Sequence, residues 1–302
     1  MTAPVPLHFT SLADRHMVGD VVDVFVAAAR KLGYEVSTEH AAVRQDAINV
    51  VCFAHHLAPE VLQGMDTNCI VLNFEQLVAG SQAFNESYLT LLRNHYVWDY
   101  SRHNLARYAE LGIPNGHHVP LGYEEDAGDN VSVEDLLPEA LQDIDVLFFG
   151  SLNQRRAQVL DAMRRRGLRV VSNENMLWDS AHRDQMIRRA KLVLNMHFFD
   201  NSRIVEIPRL AMLFRRRKAV LCEFYPDSEI FYPELRHAVA GVALDELADM
   251  ALLLTSAPGL RQRLAHLGFE TFRARPQTAV LGPALADFFA WRARTLAAGA
   301  AS

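Results

Sequence analysis

Short apolar runs of strand length alternate with amphipathic helical stretches along this chain of 302 residues. The pattern is clearest in the second half, in the successive segments DVLFFG, QRRAQVLDAMRRRG, LRVVS, SAHRDQMIRRA and KLVLNMHFF. Strands that alternate with helices build parallel sheets with helical crossovers, so the pattern predicts an α/β fold. The length suits two domains.

An acidic segment, EEDAGDNVSVEDLLPEALQD, separates two blocks of this alternation. We therefore predict a Rossmann-like domain over residues 1–125, a linker over 126–142 and a second Rossmann-like domain over 143–275. The last segment, 276–302, follows a proline and is predicted to form a helix that packs toward the first domain.

Charge is distributed unevenly between the halves. Of 30 Lys and Arg and 36 Asp and Glu, 7 and 19 lie at or before Gln142, so 23 and 17 follow it. A basic second half points to an anionic ligand there. The alternative is a solvated face, which we favour for the runs Arg164–Arg166 and Arg215–Arg217. Nucleic acid is not an expected partner, because the net charge is -6 and no aromatic-basic reader motif occurs.

Cysteine usage and apolar run length indicate a cytoplasmic protein. Cys52, Cys69 and Cys222 are widely spaced in apolar runs and are expected to be reduced core residues. No run approaches the roughly 20 apolar residues that span a bilayer. The first residues lack the basic start and long apolar segment of a signal peptide, so no signal peptide is expected. His and Cys show no metal-ligand spacing, so no metal or other cofactor is expected.

The segment FFGSLNQRRAQVL carries one candidate anion site. Gly150 and Ser151 follow a predicted strand, and Arg155 and Arg156 fall in the first turn of the next helix. The helix dipole disfavours Arg at that position, so the pair makes sense if it faces a diphosphate. The alternative is that both side chains are solvated.

The segment KLVLNMHFFDNSRIVEIPR carries a second. Its strand delivers Asn195 and His197 to the carboxyl end, and a turn with N-cap character ends at Ser202. Ligands of parallel sheets bind beyond the carboxyl ends of the strands, beside helix N-termini.

Arg203, Glu206 and Arg209 follow at three-residue steps, where helical neighbours can touch. Pro208 places the helix start at about Ile204 to Glu206. An intrahelical salt-bridge ladder is the rival interpretation and contributes only about 0.2–0.5 kcal/mol per exposed pair. The rest of the helix is apolar, which favours charges that are half-buried and therefore paired or bound to a ligand.

Three further groups follow predicted strands. Asp14 and His16 lie at the first helix start, where His16 is a candidate general base. His55 and Glu75 follow two other strands of the first half. The remaining candidates are the loop residues Asn173, Glu174 and Trp178, which could hold a base or ribose.

The order of several segments resembles glycosyltransferases of the GT-B fold, in the bacterial "glycosyl transferase family 1" group. The segments are SRIVEIPRLAMLFRRRKAVLCE, LADMALLLTSAPGLRQRLAHLGFETF, LNFEQL, VWDYSRHN, VPLGY, FFGSLNQRR and AKLVLNMHFF. Together they cover most of the chain. The resemblance implies two Rossmann-like domains that face each other across a cleft, with a sugar nucleotide on the second. A saccharide, protein or small-molecule acceptor would bind on the first.

The resemblance also implies roles for single residues. Gly150 and Ser151, with Arg155 or Arg156, would approach the diphosphate. Glu206 would accept hydroxyl hydrogen bonds, with Arg209 orienting it. The other implied donor-site residues are Asn195, His197, Ser202 and Arg203. Relatives usually need no metal, because helix N-termini and basic side chains stabilise the leaving diphosphate.

One departure bears on mechanism. Many retaining members carry a second glutamate eight residues after the first, but Phe214 stands at that position. This weakens the prediction of a retaining mechanism. A sugar-nucleotide epimerase of the same fold and a non-catalytic binding protein remain the rival interpretations.

Overall fold

The computed structural model describes residues 5–11, 15–56, 59–62, 64–65, 67–81, 83–128, 130–172 and 180–301. The chain divides into two compact units. Unit 1 comprises Met1–Ala127 and Pro276–Ser302, and unit 2 comprises Gly128–Arg275. Each unit has its own parallel β-sheet, which confirms the predicted α/β fold with two parallel sheets.

The strands are β1 (Leu7–Ser11), β2 (Val36–His40), β3 (Ile48–Cys52), β4 (Cys69–Asn73), β5 (Tyr96–Asp99), β6 (Gly116–His118), β7 (Ile144–Phe148), β8 (Val170–Ser172), β9 (Ala190–Asn195), β10 (Val220–Glu223) and β11 (Ala240–Val242). The helices are α1 (Arg15–Lys31), α2 (Glu86–Asn94), α3 (Arg102–Leu111), α4 (Gln154–Arg165), α5 (Ser180–Arg189), α6 (Ile207–Arg215), α7 (Leu247–Thr255), α8 (Pro258–Arg273) and α9 (Gln277–Ala301). Across the ranges described, no helix has the length and apolar character needed to cross a bilayer.

Unit 1 has a six-stranded sheet in the order β2-β1-β3-β4-β5-β6, with neighbouring strands parallel. The central strands β3 and β4, INVVC and CIVLN, are buried at every position. A parallel strand is covered on both faces, which is why these sequences are continuous apolar runs rather than alternating ones.

The last helix completes unit 1. The Gln277 backbone N–H donates to the carbonyl of Tyr123 (2.8 Å), and its side-chain oxygen accepts from the Gly122 N–H. Further along α9, the buried ring of Phe288 packs edge-on against Tyr96, with centroids 5.2 Å apart. Truncation of a buried phenylalanine to alanine costs about 3–5 kcal/mol, so α9 is a core element of unit 1.

Unit 2 has a five-stranded parallel sheet in the order β11-β10-β9-β7-β8. Helices α4 and α7 pack over one apolar cluster built on β7 and β9, and α6 packs against α8. Residues 128–142, most of the segment predicted as a linker, belong to this unit. The order places the carboxyl ends of β7, β9 and β10 side by side.

Helix α6 begins slightly later than its sequence predicts. Its first residue is Ile207, Glu206 is the N-cap residue, and Pro208 lies in the first turn, where a missing N–H costs nothing. Arg203 lies before the helix, next to Ile204, which forms an isolated bridge with Glu229. The three charged residues are therefore not a helical ladder.

Candidate functional site

Polar and charged side chains converge at the carboxyl edge of the unit 2 sheet. Gly150 follows β7, Asn195 ends β9 and Glu223 ends β10, and these three strands are neighbours. Open parallel sheets bind ligands at this edge, where loops are free to diverge and helices begin. We call the residues around Gly150, Asn195, Glu206 and Arg209 the edge site.

The absence of a side chain at Gly150 lets the guanidinium of Arg209 approach the backbone there. Its φ of +140° is a conformation that L side chains rarely adopt, and a Cβ atom there would stand 2.6 Å from Nη2 of Arg209. The arginine can reach this position only because residue 150 has no side chain. The predicted importance of Gly150 thus has a steric reason.

Among the described residues, no carboxylate is hydrogen-bonded to the guanidinium of Arg209. Its Nη1 donates to Oδ1 of Asn195 (2.8 Å), a neutral amide, and its guanidinium lies 5.6 and 5.4 Å from the ring centroids of Phe148 and Phe149. Burial lowers its pKa from the usual value and the charge of Glu206 opposes that shift. Arginine nevertheless stays protonated at neutral pH. An anionic ligand would complete its surroundings.

The buried side chain of Arg156 connects two loops through hydrogen bonds. It donates to the carbonyls of Ser151 (2.8 Å), Met196 (2.5 Å) and His197 (3.2 Å), and its Nη2 lies 3.2 Å from Oε1 of Glu206. Burial and the neighbouring Arg209 lower its pKa to about 10. Arg156 is thus a hydrogen-bond partner of Glu206, the residue that the resemblance would have Arg209 orient.

Arg155 is paired with two carboxylates. Its guanidinium binds Glu223 through both oxygens, one contact at 2.8 Å, and its Nε binds Asp200. Glu223 is fully buried and also accepts from the His197 N–H (3.0 Å). Burial is the largest single influence on Glu223 and opposes its ionisation, but the hydrogen bonds from Arg155 and Tyr225 and the charges of Arg155 and His197 together lower its pKa.

Glu223 is absent from the sequence candidates. The available signal is an acidic residue at the end of an otherwise apolar strand, KAVLCE. A carboxylate at that place must be paired once it is buried.

His197 presents a hydrogen-bond acceptor with no protein partner among the described residues. Its Nδ1 lies 3.1 Å from the carbonyl of Ile204, which can only accept, so Nδ1 carries the proton and Nε2 a lone pair. Nε2 is buried and unpartnered. Burial lowers the pKa of His197, which favours the neutral ring. A ligand hydroxyl could donate to Nε2.

Ser202 and Arg203 make local contacts. The Ser202 hydroxyl is buried and lies 3.3 Å from the Ile204 carbonyl. Arg203 pairs with Asp227 at 3.1 Å and stacks over Tyr225 at 4.8 Å.

Phe214 ends up in a core rather than in the edge site. It is fully buried near the end of α6, 6.0 Å from the ring of Phe272 and 6.3 Å from that of Phe231. An aromatic cluster explains why a glutamate could not replace it without a large cost in desolvation.

In unit 1 the structure brings His55 and Glu75 together. Nδ1 of His55 lies 3.4 Å from Oε1 of Glu75, and the two residues follow the neighbouring strands β3 and β4. The pair is ionic when the imidazole is protonated. A carboxylate beside an imidazole stabilises the imidazolium that forms when histidine accepts a proton.

A buried network holds the Glu75 loop. The carbonyl of Glu75 accepts from the side-chain amides of Asn73 (3.1 Å) and Asn104 (2.8 Å). Both amides also donate to the buried carboxyl of Asp99, at 2.7 and 3.1 Å. Burial raises the pKa of Asp99 to about 7, although these hydrogen bonds act in the opposite direction.

Several sequence candidates lie outside the described part of the chain. Asp14 is one, and the loop residues Asn173, Glu174 and Trp178 are others. The backbone of His16 falls in the first turn of α1, but its side chain is outside the description. In the described ranges, no group of three or more His, Cys, Asp or Glu side chains could hold a metal ion.

No protein-family model matches the sequence. Among curated proteins, the uncharacterized protein L140 of Acanthamoeba polyphaga mimivirus is 27% identical over 165 residues, 53% of this chain and 50% of that protein. The chain thus spans about half the length of the curated relative that it matches.

Among solved structures, Anabaena Alr3699/HepE in complex with UDP and glucose superposes with a TM-score of 0.61 at 9% identity, over 95% of this chain and 100% of that one. An α-glucosyltransferase in complex with UDP and a 13-mer DNA gives a TM-score of 0.53 at 8% identity, over 95% and 100%. At such identities the likeness concerns the fold. The fold is that of GT-B glycosyltransferases.

Proposed function

We propose that this chain is a glycosyltransferase that moves a sugar from a nucleoside-diphosphate sugar to an acceptor. The observation that carries the proposal is Arg209, a guanidinium aimed at Gly150 and bonded to the neutral amide of Asn195. The two solved structures of this fold described above both hold UDP, which supports a diphosphate as the missing anion. Within the fold we place the chain near the bacterial family 1 group, on the order of its segments.

The donor diphosphate would lie between Arg209 and the start of α4. That helix is capped by Asn153, whose side chain accepts from the Arg156 N–H at 2.9 Å, and its first turn presents further backbone N–H groups. A helix N-terminus and a fixed guanidinium stabilise phosphate charge together. The proposal therefore assigns charge neutralisation to the protein and requires no metal ion.

The sugar or ribose hydroxyls would contact Glu206 and His197. Glu206 is about one quarter exposed and is held by Arg156, so its free oxygen can accept a hydroxyl hydrogen bond. Nε2 of His197 is a second acceptor, and His197 lies just after β9 at the same edge of the sheet. Buried acceptors without partners discriminate strongly for ligands that bring the missing donor.

During transfer, an acceptor hydroxyl or amide attacks the anomeric carbon of the donor. The bond from that carbon to the diphosphate oxygen breaks, and its electron pair passes to the diphosphate beside Arg209. The acceptor's proton passes to a base. The candidates are His16 with Asp14, from the sequence, and His55, which Glu75 flanks at 3.4 Å. A charge fixed in advance costs no reorganisation at the moment of reaction.

The acceptor would be a saccharide, a protein or a small molecule, as the resemblance implies. The three cysteines are buried free thiols, which fits the reducing cytoplasm.

The test is a calorimetric titration of the purified chain with UDP-, GDP- and dTDP-sugars, followed by an assay for sugar transfer. Arg209→Met should weaken binding of the preferred donor at least tenfold, because one charge-assisted contact to phosphate is lost. Arg166→Met removes an exposed cation beyond the other end of α4 and is the matched control. Three outcomes would each contradict transfer. The chain binds no sugar nucleotide, it epimerises the donor without an acceptor, or it binds the donor but shows no turnover across many acceptors.

A further inference from the structure

A pocket of about 360 Å³ lies at the amino-terminal edge of the unit 2 sheet. Gln142 before β7, Lys191 in β9 and Lys218 before β10 are among its lining residues. The edge site lies at the other ends of the same strands. Because β9 has six residues, the two edges are separated by about 17 Å.

One wall of this pocket is apolar. It includes Val133, Leu136, Leu137 and Pro138 from the segment before β7, with Ala219 and Ala265 nearby. Two hydrogen bonds fix the segment to the end of α6 and the turn that follows: the Val131 N–H donates to the Arg215 carbonyl (3.2 Å), and Nε of Arg217 donates to the Val131 carbonyl (3.1 Å). The wall is thus part of the folded unit.

The pocket lining also carries an excess of cationic side chains. Four cations and one carboxylate line the pocket: Lys191, Arg217, Lys218, Arg261 and Glu139. Glu139 already pairs with Arg261, and Lys191 pairs with Asp145 at 2.8 Å. In the described structure, Arg217 and Lys218 have no hydrogen-bonded carboxylate.

Lys218 is the better defined of these two cations. Its buried Nζ donates to the carbonyls of Arg188 (3.1 Å) and Ala190 (2.9 Å), which leaves one of its three N–H donors for a ligand. Burial lowers its pKa to about 8, with partial compensation from Glu139. An anion in the pocket would stabilise the charged form.

Arg217 occupies a position that suits glycine. Its φ is +52°, in the left-handed region, and an L residue there costs about 1–2 kcal/mol. Its guanidinium stacks 3.4 Å from the ring centroid of Phe269. The positive φ belongs to the turn that ends α6, where the Arg217 N–H donates to the Phe214 carbonyl (3.0 Å), and Arg217 is among the residues that line the pocket.

We propose that this pocket binds a small organic anion with an apolar body, a medium-chain carboxylic acid in chemical class. The carboxylate would contact Arg217 and Lys218, and the aliphatic part would cover the Leu136 and Leu137 wall. An inorganic anion would leave the apolar wall uncovered, and a neutral hydrocarbon would leave two cations unpaired. The site is separate from the proposed donor site and does not depend on it.

The test is calorimetric titration of the full chain with octanoate, 1-octanol and sulfate. Octanoate should bind at least tenfold more tightly than either of the others. Arg217→Gly and Lys218→Met should each weaken octanoate about tenfold, the loss expected when one charge-assisted hydrogen bond disappears. Arg217→Gly relieves the positive φ but also removes the hydrogen bond to Val131 and the stack on Phe269, so its thermal midpoint is measured beside its octanoate affinity. Arg273→Ala, an exposed arginine on α8 outside the pocket, is the matched control.

Absence of octanoate binding would overturn the proposal. So would equal affinity for octanoate and 1-octanol, equal affinity for octanoate and sulfate, or unchanged affinity in Arg217→Gly and Lys218→Met. Failure of sugar-nucleotide binding would leave the octanoate result standing, because the two titrations report on opposite edges of the sheet.

Discussion

Nη2 of Arg209 lies 2.6 Å from the point that a Cβ atom on Gly150 would occupy. No real Cβ contact is that short, so the position of the guanidinium depends on the glycine. The relationship joins the loop after β7 to the first turn of α6, the two elements between which we place the donor diphosphate.

Gly150→Ala should therefore weaken sugar-nucleotide binding at least tenfold, because the arginine must move away from the phosphate position. The matched control is Gly167→Ala. Gly167 also has a positive φ, +83°, but nothing lies within 4 Å of its missing Cβ. Both variants bear backbone strain of about 1 kcal/mol or more. Calorimetric affinities and thermal midpoints of both decide the matter: an equal loss of affinity would show that the steric relationship is irrelevant.

Glu206→Ala should lower donor affinity and kcat/KM by tenfold or more, and it should lower stability moderately, because the guanidinium groups of Arg156 and Arg209 lose the favourable charge of Glu206. The carboxylate is part-exposed, and Arg156 retains three backbone acceptors without it. Glu206→Gln keeps one acceptor oxygen and should fall between Glu206→Ala and the parent chain. Steady-state kinetics on all three measure the effect. Unchanged kinetics in Glu206→Ala would make this carboxylate purely structural.

Glu223→Gln should destabilise unit 2 by roughly 3 kcal/mol, the cost of leaving a buried charge without its partner. Arg155 would keep its charge but lose the paired contact with a fully buried carboxylate. Asp200→Asn changes the other partner of the same arginine, which is 86% exposed, and should shift stability by less than about 1 kcal/mol. Urea unfolding of both variants checks this. Similar losses in the two would contradict the assignment of Glu223 as the buried anchor.

Asp99 should make the stability of unit 1 depend on pH. Its folded pKa of about 7 lies above the value near 4 of an unfolded chain, so the folded state binds the extra proton between these values. The stabilisation is present in full below pH of about 4 and is lost as pH rises through 7. Between pH 5 and 8 the loss should be on the order of 2 kcal/mol. Urea unfolding of the parent and Asp99→Asn at both pH values tests it: the two chains should differ in slope, and parallel curves would rule the effect out.

The alternation of strand and helix predicts the α/β fold class, because strand and helix periods are local properties of the sequence. Gly150, Asn195, Glu206 and Arg209 were placed at strand ends and helix starts, and the structure brings them to one sheet edge. Helix α6 begins at Ile207, one residue after the predicted range of Ile204 to Glu206. The prediction is this close because Pro208 must lie in the first turn of the helix.

Partnerships between distant side chains were not predictable in the same way. Arg155 and Arg156 are adjacent in sequence, yet one binds Glu223 and the other is enclosed by backbone carbonyls. Which of two neighbours meets which acceptor depends on loop paths 40 to 70 residues away. Glu223 is not predictable from sequence for the same reason, because only its contact with Arg155 distinguishes it from other acidic residues at strand ends.

The contact of Gln277 with the backbone of Gly122 and Tyr123 has a consequence for synthesis on the ribosome. Unit 2 is an insertion, complete once Arg275 has been added, whereas unit 1 waits for the segment that carries Phe288. The part of the chain made first is therefore the part finished last. Until α9 is synthesised, the ring of Tyr96 lacks the Phe288 side chain that packs against it. A chain that stops before Phe288 therefore leaves the core of unit 1 incomplete, although all residues of unit 2 are present.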